Sequence, residues 1–314
     1  MQNIHFVDKN IGGVGVICSR LSESGDVVHS LSISRIIKEI KKTDSCERIY
    51  FHQPRSHLYC MIISFMYPAK KKRFSCILHE AADYNKGVTN IFRSTIGFIA
   101  RTLVISILNR INVNILGVSN YVLGSYGILN GQRISYLHLF KEYAGLTSKE
   151  GMSSDNLLYK STLTAWIRKG DAHRAIKVIN SMESIGLIAN VNLFGDNSEV
   201  LLLKKQIKKT RNYIKINPHP SRLRREDFIS ELEKSTWFIS MFDKEGFGLS
   251  VFDAMAAGCI CLTSKSGAII EWLPSENFLV LDKIMSNNQI TTDCIHAISR
   301  LNKTTAVKLI SENQ

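Results

Sequence analysis

Short apolar runs rich in β-branched and aromatic residues alternate with helical patterns along the whole chain. The predicted strands of the second half, each separated from the next by a helical segment, are 161–166, 190–194, 213–216, 236–242, 259–263 and 278–282. The first half shows the same alternation, with predicted strands at 3–7, 48–51, 74–79, 113–118 and 133–137. This order predicts an α/β protein with doubly wound parallel sheets.

The length of 314 residues and a hydrophobic content of 45% suit two domains of about 150 residues each. We expect one domain at 1–150 and a second at 151–314. An excess of 40 Lys and Arg over 27 Asp and Glu excludes an acidic or disordered chain. The seven cysteines form no C-x-x-C pattern, which favours buried thiols in a reducing cytoplasm over disulfides or a metal site.

Positive charge is concentrated in the first domain. Residues 1–150 hold 19 Lys and Arg against 10 Asp and Glu, a net charge of +9, and the densest run is Lys70-Lys71-Lys72-Arg73. Such a run is typical of a segment that binds an anionic membrane surface or nucleic acid, and it is also typical of a solvated turn. The longest apolar stretch, Ile91–Ile111, contains three arginines and is predicted to be a buried or surface-lying helix.

The N-terminus lacks the basic start and long apolar run of a signal peptide, so we expect a cytoplasmic protein.

The segment 243–258 carries the strongest indication of a binding site. A predicted strand ends at Phe242, a turn with Gly246 and Gly248 follows, and an apolar helix begins near Leu249. Free amides at a helix N-terminus bind anions, and glycine lets a ligand approach the backbone. Two such domains facing each other leave a central cleft lined by the carboxyl ends of strands, where ligands bind.

Asp253 is the only charged residue in the predicted helix 249–257. A buried carboxylate needs hydrogen-bond donors or takes up a proton. An arginine, a backbone cap or the hydroxyl groups of a ligand would each serve, and the sequence leaves these three alternatives open.

The same segment resembles a known family signature. Glu245, seven residues and then Asp253, within E-G-F-G-L-x-x-x-D-A-M-A-x-G, resemble the E-x7-E motif of the retaining family-4 glycosyltransferases, which have the GT-B fold. Residues 264–271 resemble the family's S-x-x-G-G-x-x-E. Five shorter matches occur in the family's order: Gly12-Gly13, His79-Glu80, Val118-Ser119, Arg168-Lys169-Gly170 and Gly195-Asp196.

The resemblance implies a role for each matching residue. Glu245 would contact the donor sugar or stabilise its positive charge, and Lys169 would stabilise the departing diphosphate. His79 would contact the sugar or the reacting centre, although a strand-end histidine with only structural partners is the alternative. The implied donor-binding residues are Gly12, Gly13, Arg168, Gly246, Phe247, Gly248, Leu249 and Asp253.

Two positions depart from the family pattern. The second acidic residue is Asp253 where the family usually has Glu, and Leu163-Thr164-Ala165 stands in place of the frequent G-R-L, so that Arg168 is the candidate for the missing positive charge. No D-x-D sequence is present, and we expect neither a metal nor another cofactor. Arg222, Arg224 and Arg225 lie where the family binds the base, but three arginines in a turn more often face solvent.

The resemblance implies a GT-B enzyme with an acceptor-binding domain at 1–150 and a nucleotide-sugar-binding domain at 151–314. The last helix of the second domain packs either on its own domain or back on the first domain. It would transfer a sugar, with retention of configuration, from a nucleotide-diphosphate sugar to a saccharide or lipid-linked acceptor at the anionic inner membrane. Such enzymes build O-antigen or lipopolysaccharide, and no nucleic-acid partner is expected. A catalytically weakened scaffold subunit is the alternative. A dehydrogenase is a weak third reading, because Gly12-Gly13-Val14-Gly15 lacks the G-x-G-x-x-G spacing.

Overall fold

The computed structural model describes residues 3–8, 12–42, 48–81, 91–129, 131–136, 162–168, 170–210, 215–218, 225–286 and 292–311. The chain divides into two compact units. Unit 1 comprises residues 1–140 together with the short segment 244–247, and unit 2 comprises residues 141–243 and 248–314. The two units are described separately below.

Unit 1 contains a parallel sheet of six strands in the order β2-β1-β3-β4-β5-β6. A 3-10 helix, Pro68–Arg73, lies between α3 and β4. The strands and helices are β1 (Ile4–Val7), α1 (Gly12–Glu23), β2 (Val27–Ser30), α2 (Ile33–Lys42), β3 (Ile49–His52), α3 (Pro54–Met66), β4 (Phe74–Leu78), α4 (Ile91–Arg110), β5 (Asn114–Gly117), α5 (Asn120–Ser125) and β6 (Gln132–Arg133).

The strands of this sheet carry apolar side chains on both faces. Helices therefore cover the sheet on both sides. Phe6, Phe51 and Phe74 are fully buried in a cluster that includes residues of α2, α3 and α4. On the other face Ile77 packs with Leu21 of α1. Unit 1 is therefore doubly wound, as the alternating pattern predicted.

Unit 2 contains a parallel sheet of five strands in the order β11-β10-β7-β8-β9. Its strands and helices are β7 (Thr162–Ile167), α6 (Ala172–Ser184), β8 (Asn190–Gly195), α7 (Asn197–Thr210), β9 (Lys215–Pro218), α8 (Arg225–Glu233), β10 (Trp237–Ser240), α9 (Leu249–Ala256), β11 (Ile260–Thr263), a 3-10 helix Gly267–Glu271, α10 (Ser275–Met285) and α11 (Thr292–Ser311).

The last helix, α11, packs on α9 and β11 of its own unit. The amide of Asn302 donates to the Cys259 carbonyl (3.0 Å), and the Ser299 hydroxyl donates to the Gly258 carbonyl (3.0 Å). These two hydrogen bonds fix the helix on the turn between α9 and β11.

The predicted fold class of two parallel-sheet α/β domains is confirmed, but three strands differ from the prediction. Among the described residues of the predicted strand 133–137, only Arg133 lies in a strand, β6. Residues 278–282, predicted as a strand, lie inside α10, where the buried Asn277, Val280 and Ile284 recur at helical spacing after Pro274. Strand β2 was not predicted, because its residues are only partly buried and include a histidine and a serine. In the part of the chain that the structure describes, no helix has both the length and the apolar character needed to cross a bilayer.

We predict that Gly195→Ala destabilises unit 2 by about 3 kcal/mol or more. Gly195 has φ +119°, and a Cβ there would collide with the backbone of Ile167 on the paired strand. Gly186→Ala is the control, because Gly186 also has positive φ (+77°) but open space around it, so that only a conformational cost of about 1 kcal/mol is expected.

Urea unfolding followed by tryptophan fluorescence measures both variants, because all three tryptophans, Trp166, Trp237 and Trp272, lie in unit 2. Equal losses in the two variants would contradict the role of the collision with Ile167.

Candidate functional site

The loops that follow β7, β10 and β11 lie at the carboxyl edge of the sheet of unit 2. Arg168 follows β7 directly, and its guanidinium lies 4.6 Å above the ring centroid of Phe242, which follows β10. A cation over an aromatic face is held electrostatically. The predicted donor-binding residue Arg168 is therefore placed at this edge, whereas Lys169 lies outside the described residues.

Arg174, on the first turn of α6, links these loops. Its Nη1 donates to both carboxylate oxygens of Asp243 (2.6 Å each), and its Nη2 donates to Oδ1 of Asp171 (3.2 Å). Asp243 Oδ1 also accepts from the Ser266 hydroxyl (3.2 Å). One guanidinium thus joins the loop after β7 to the loop after β10, and Asp243 extends the connection to the loop after β11.

The two aspartates of this network respond differently to their surroundings. Burial raises the pKa of Asp171 to about 6, against the opposing effect of Arg174. Burial would also raise the pKa of Asp243, but hydrogen bonds from Arg174 and from Ser264 and Ser266 lower it overall. The sequence reasoning assigned no role to Arg174, Asp171 or Asp243. The sequence feature that could have indicated this network is the position of Asp171 immediately after the motif Arg168-Lys169-Gly170.

Glu245 and Gly246 belong to unit 1, where they lie against two other predicted motifs. The hydroxyl of Ser119, the N-cap of α5, donates to the Gly246 carbonyl (2.7 Å). A Cβ at residue 246 would collide with the carbonyl oxygen of His79, so only glycine fits. Glu245 is 7% exposed. Three separated segments, at His79, Ser119 and Glu245, are thereby brought together inside one unit.

Gly248 and Leu249 begin α9 in unit 2, as predicted. Gly248 is the N-cap residue, with φ 91° and ψ 46° and no side chain to occupy the first amides of the helix. An N-terminus of this kind presents N–H donors and positive partial charge. Phe247, also a predicted donor-binding residue, is the last residue of the segment that belongs to unit 1.

Asp253 is buried on α9 and is paired with Arg225, the first residue of α8. The two form a bidentate ion pair, with Nη2 to Oδ1 at 2.6 Å and Nη1 to Oδ2 at 2.8 Å, and their side chains are 2% and 15% exposed. Of the three alternatives that the sequence left open, the structure supplies the arginine. The expectation that Arg225 faces solvent was wrong, while Arg222 and Arg224 lie outside the described residues.

His79 follows β4 and lines a small pocket in unit 1. The other residues around the pocket are Gln53, Pro54, His57, Leu78, Glu80 and Tyr126. Burial, followed by the proximity of His57, lowers the pKa of His79 to about 3, and Tyr136 stacks on its ring. His79 is therefore a neutral imidazole at neutral pH, able both to donate and to accept a hydrogen bond.

Gly12 and Gly13 form the start of α1, the helix that follows β1. Within the described ranges, no group of three or more His, Cys, Asp or Glu residues is placed to hold a metal ion. The expectation that no metal or cofactor is required stays a prediction.

Comparison with known proteins gives a match for one segment of the sequence. Residues 168–282 match the family described as glycosyl transferases group 1. No curated protein matches the sequence significantly.

Solved structures with similar folds cover the whole chain. Anabaena HepE, in a complex with UDP and glucose, superimposes with a TM-score of 0.67 at 13% identity over 100% of this chain and 97% of its own. The trehalose-6-phosphate synthase OtsA gives 0.66 at 8% identity, over 100% and 96%. A glycosyltransferase from Rickettsia africae gives 0.64 at 13% identity, over 99% and 96%. At these identities the similarity shows a shared fold.

The parallel sheets and these neighbours define the fold as that of the GT-B class. The match of residues 168–282 to the glycosyl transferases group 1 family supports a glycosyltransferase activity for the chain.

We predict that Asp253→Ala destabilises unit 2 by about 3 kcal/mol, because Arg225 would be left largely buried without its charged partner. The control is Asp282→Ala on α10, where the side chain is exposed and a loss within about 0.5 kcal/mol is expected. Urea unfolding monitored by tryptophan fluorescence measures both. An Asp253→Ala protein as stable as the control would show that the ion pair contributes nothing.

Proposed function

We propose that the protein is a glycosyltransferase that moves a sugar from a nucleotide-diphosphate sugar to a saccharide acceptor with retention of configuration. The observation that carries the proposal is the convergence of Glu245, Gly246, Ser119 and His79 in unit 1. These residues come from three separate motifs that resemble those of retaining glycosyltransferases. A buried carboxylate at Glu245 and a neutral imidazole on the neighbouring His79 segment suit contacts with sugar hydroxyls and with positive charge at the reacting carbon.

In the proposed donor site the diphosphate is bound by positive groups of unit 2. Arg168 and the N-terminus of α9 provide donors for an anion, and Lys169 would add a further cation. The ion pair of Arg174 with Asp243 fixes the loops that carry these groups. HepE forms a complex with UDP and glucose, and a similar structure from E. coli is bound with UDP-2-fluoro glucose. UDP-glucose is therefore the first donor to test.

Asp253 and Arg225 bear on the alternative function. In the family pattern the second acidic residue would bind the ribose, but here both Asp253 oxygens accept from Arg225. Ribose hydroxyls would have to share these oxygens. Because this competition weakens donor binding, it favours the second candidate, a catalytically weakened scaffold subunit.

We predict that the protein releases nucleotide from at least one of a panel of UDP, GDP, ADP and TDP sugars. Glu245→Gln should lower this rate by about 100-fold or more, because the amide has the same shape without the charge. Glu276→Gln, at the exposed start of α10, should leave the rate unchanged.

Nucleotide release is measured by a coupled assay, and a thermal-shift titration with the free nucleotides is run in parallel. Turnover that survives Glu245→Gln would remove Glu245 from catalysis. Nucleotide binding without turnover of any donor would favour the scaffold.

We also propose that the acceptor is lipid-linked and that unit 1 docks on an anionic membrane, as in bacterial surface-polysaccharide assembly. The neighbouring helices α3 and α4 each expose large apolar side chains at helical spacing. These side chains form what we call the apolar face: Leu58, Ile62, Phe65 and Met66 on α3, and Ile96, Ile99 and Leu103 on α4.

The basic run Lys70–Arg73 forms the 3-10 helix that follows α3. Lys70 donates to the Ile40 carbonyl at the end of α2 (2.9 Å), which fixes the position of this run, and Lys72 is exposed. Apolar side chains next to basic ones are the combination by which peripheral proteins bind anionic bilayers.

We predict that the protein pellets with phosphatidylglycerol vesicles and less with phosphatidylcholine vesicles, and that added salt weakens the binding. Phe65→Ser and Lys72→Glu should each lower the affinity, the latter by about fivefold or more. The matched controls are Leu201→Ser and Lys205→Glu, at exposed positions of α7 in unit 2.

Binding that is absent, insensitive to salt, or equally reduced by the α7 controls would contradict docking through the apolar face.

A further inference from the structure

Four side chains form a continuous hydrogen-bonded row across four neighbouring strands of unit 1, which we call the histidine chain. Asp26 precedes β2, His5 lies in β1, His52 ends β3 and His79 follows β4. The links are Asp26 Oδ2 to His5 Nε2 at 3.1 Å, His5 Nδ1 to His52 Nε2 at 2.9 Å, and His52 Nδ1 to His79 Nε2 at 2.9 Å.

The interior of the histidine chain is enclosed. His5 is 2% exposed and His52 is fully buried. Tyr50 stacks on His5 with ring centroids 4.8 Å apart, and His52 stacks on His79 at 5.1 Å. Burial lowers the pKa of His5 even though Asp26 opposes the shift, and it lowers the pKa of His52 further. Each imidazole is therefore neutral at neutral pH and carries one ring proton.

The carboxylate at one end sets the direction of every link. An ionised carboxylate has acceptors only, so His5 Nε2 must carry the proton. His5 Nδ1 is then the acceptor, and His52 Nε2 must donate to it. By the same argument His52 Nδ1 accepts from His79 Nε2, which leaves the lone pair of His79 on Nδ1.

We propose that Asp26, His5 and His52 are positioning residues that hold His79 in the tautomer with the proton on Nε2 and a hydrogen-bond acceptor at Nδ1. This inference rests on the proposed function in that His79 contacts the sugar or the acceptor there. His79 then accepts a hydrogen bond from a ligand hydroxyl through Nδ1. In a serine-protease triad a buried aspartate likewise fixes the tautomer of its histidine.

Asp26→Asn should reverse the histidine chain. The Oδ1 atom of Asp26 accepts from the backbone N–H of Asn3 (3.2 Å) and from its side-chain amide (3.4 Å). In the variant the backbone N–H of Asn3 holds the amide oxygen at that position, so the NH2 group faces His5 Nε2 and donates to it. Donor and acceptor then exchange roles in every hydrogen bond of the histidine chain, and the ring proton of His79 moves to Nδ1.

The test is a long-range ¹H–¹⁵N correlation spectrum of the full chain labelled with ¹⁵N-histidine, with His79 assigned by the loss of its signals in His79→Gln. In the parent protein His79 should show a protonated-type shift at Nε2 and a lone-pair-type shift at Nδ1. The two shifts should exchange in Asp26→Asn. Asp26→Glu, which keeps the carboxylate, should retain the parent pattern.

His57 is the internal control, because its Nε2 donates to the carbonyls of Phe51 and Ile77 outside the histidine chain, and its shifts should not exchange. If Asp26→Asn fails to fold, His5→Gln serves instead. Its amide can donate or accept, so His79 should become a mixture of tautomers. A parent protein with the proton on Nδ1 of His79, or a tautomer insensitive to these variants, would overturn the proposal.

The spectrum needs no substrate, so it separates this proposal from the proposed function. If the protein turns over no donor but shows the tautomer exchange, the role of the histidine chain is supported and the proposed function is refuted. With an active donor, Asp26→Asn should lower kcat by about tenfold or more, while Asp26→Glu restores it. Full activity of Asp26→Asn despite the exchange would show that His79 does not act through Nδ1.

Discussion

Parallel hydrogen bonding within each sheet is the constraint on which the site depends. Because neighbouring strands run in the same direction, their carboxyl ends and the loops that follow them lie at one edge. In unit 2 this brings Arg168, after β7, beside Phe242, after β10. In unit 1 it places His52 and His79 at the ends of adjacent strands, close enough for their rings to form a hydrogen bond. Residues far apart in sequence become neighbours without any local motif.

The chemistry that results differs between the two sheets. The edge of unit 2 is charged, and Arg174 compensates the two aspartates between which it lies. In the site of unit 1 the histidines carry no charge, since burial lowers their pKa. A diphosphate suits the first environment, whereas sugar hydroxyls suit the second, because neutral imidazoles and one buried carboxylate offer mainly acceptors.

The sequence predicted the parallel fold and the turn before α9, because both are local: periodicity marks the strands and helices, and glycines mark the turn. It did not predict the partner of Asp253, because Arg225 lies 28 residues away and any of three arginines in that turn had the right chemistry. Nor did it predict the histidine chain. His5 and His52 each look like ordinary strand residues, and only the register of β1 against β3 brings them together.

The segment 244–247 has a consequence for how such enzymes can be recombined. These four residues pack with unit 1, although the chain on both sides of them belongs to unit 2. A chimaera that took its second half from another protein of this fold would import a foreign tetrapeptide into the first half, where the His79 carbonyl admits only a glycine at residue 246. Compatibility between halves from different sources is thus decided by a peptide that packs with the first half but is carried by the second if the chain is cut at residue 140.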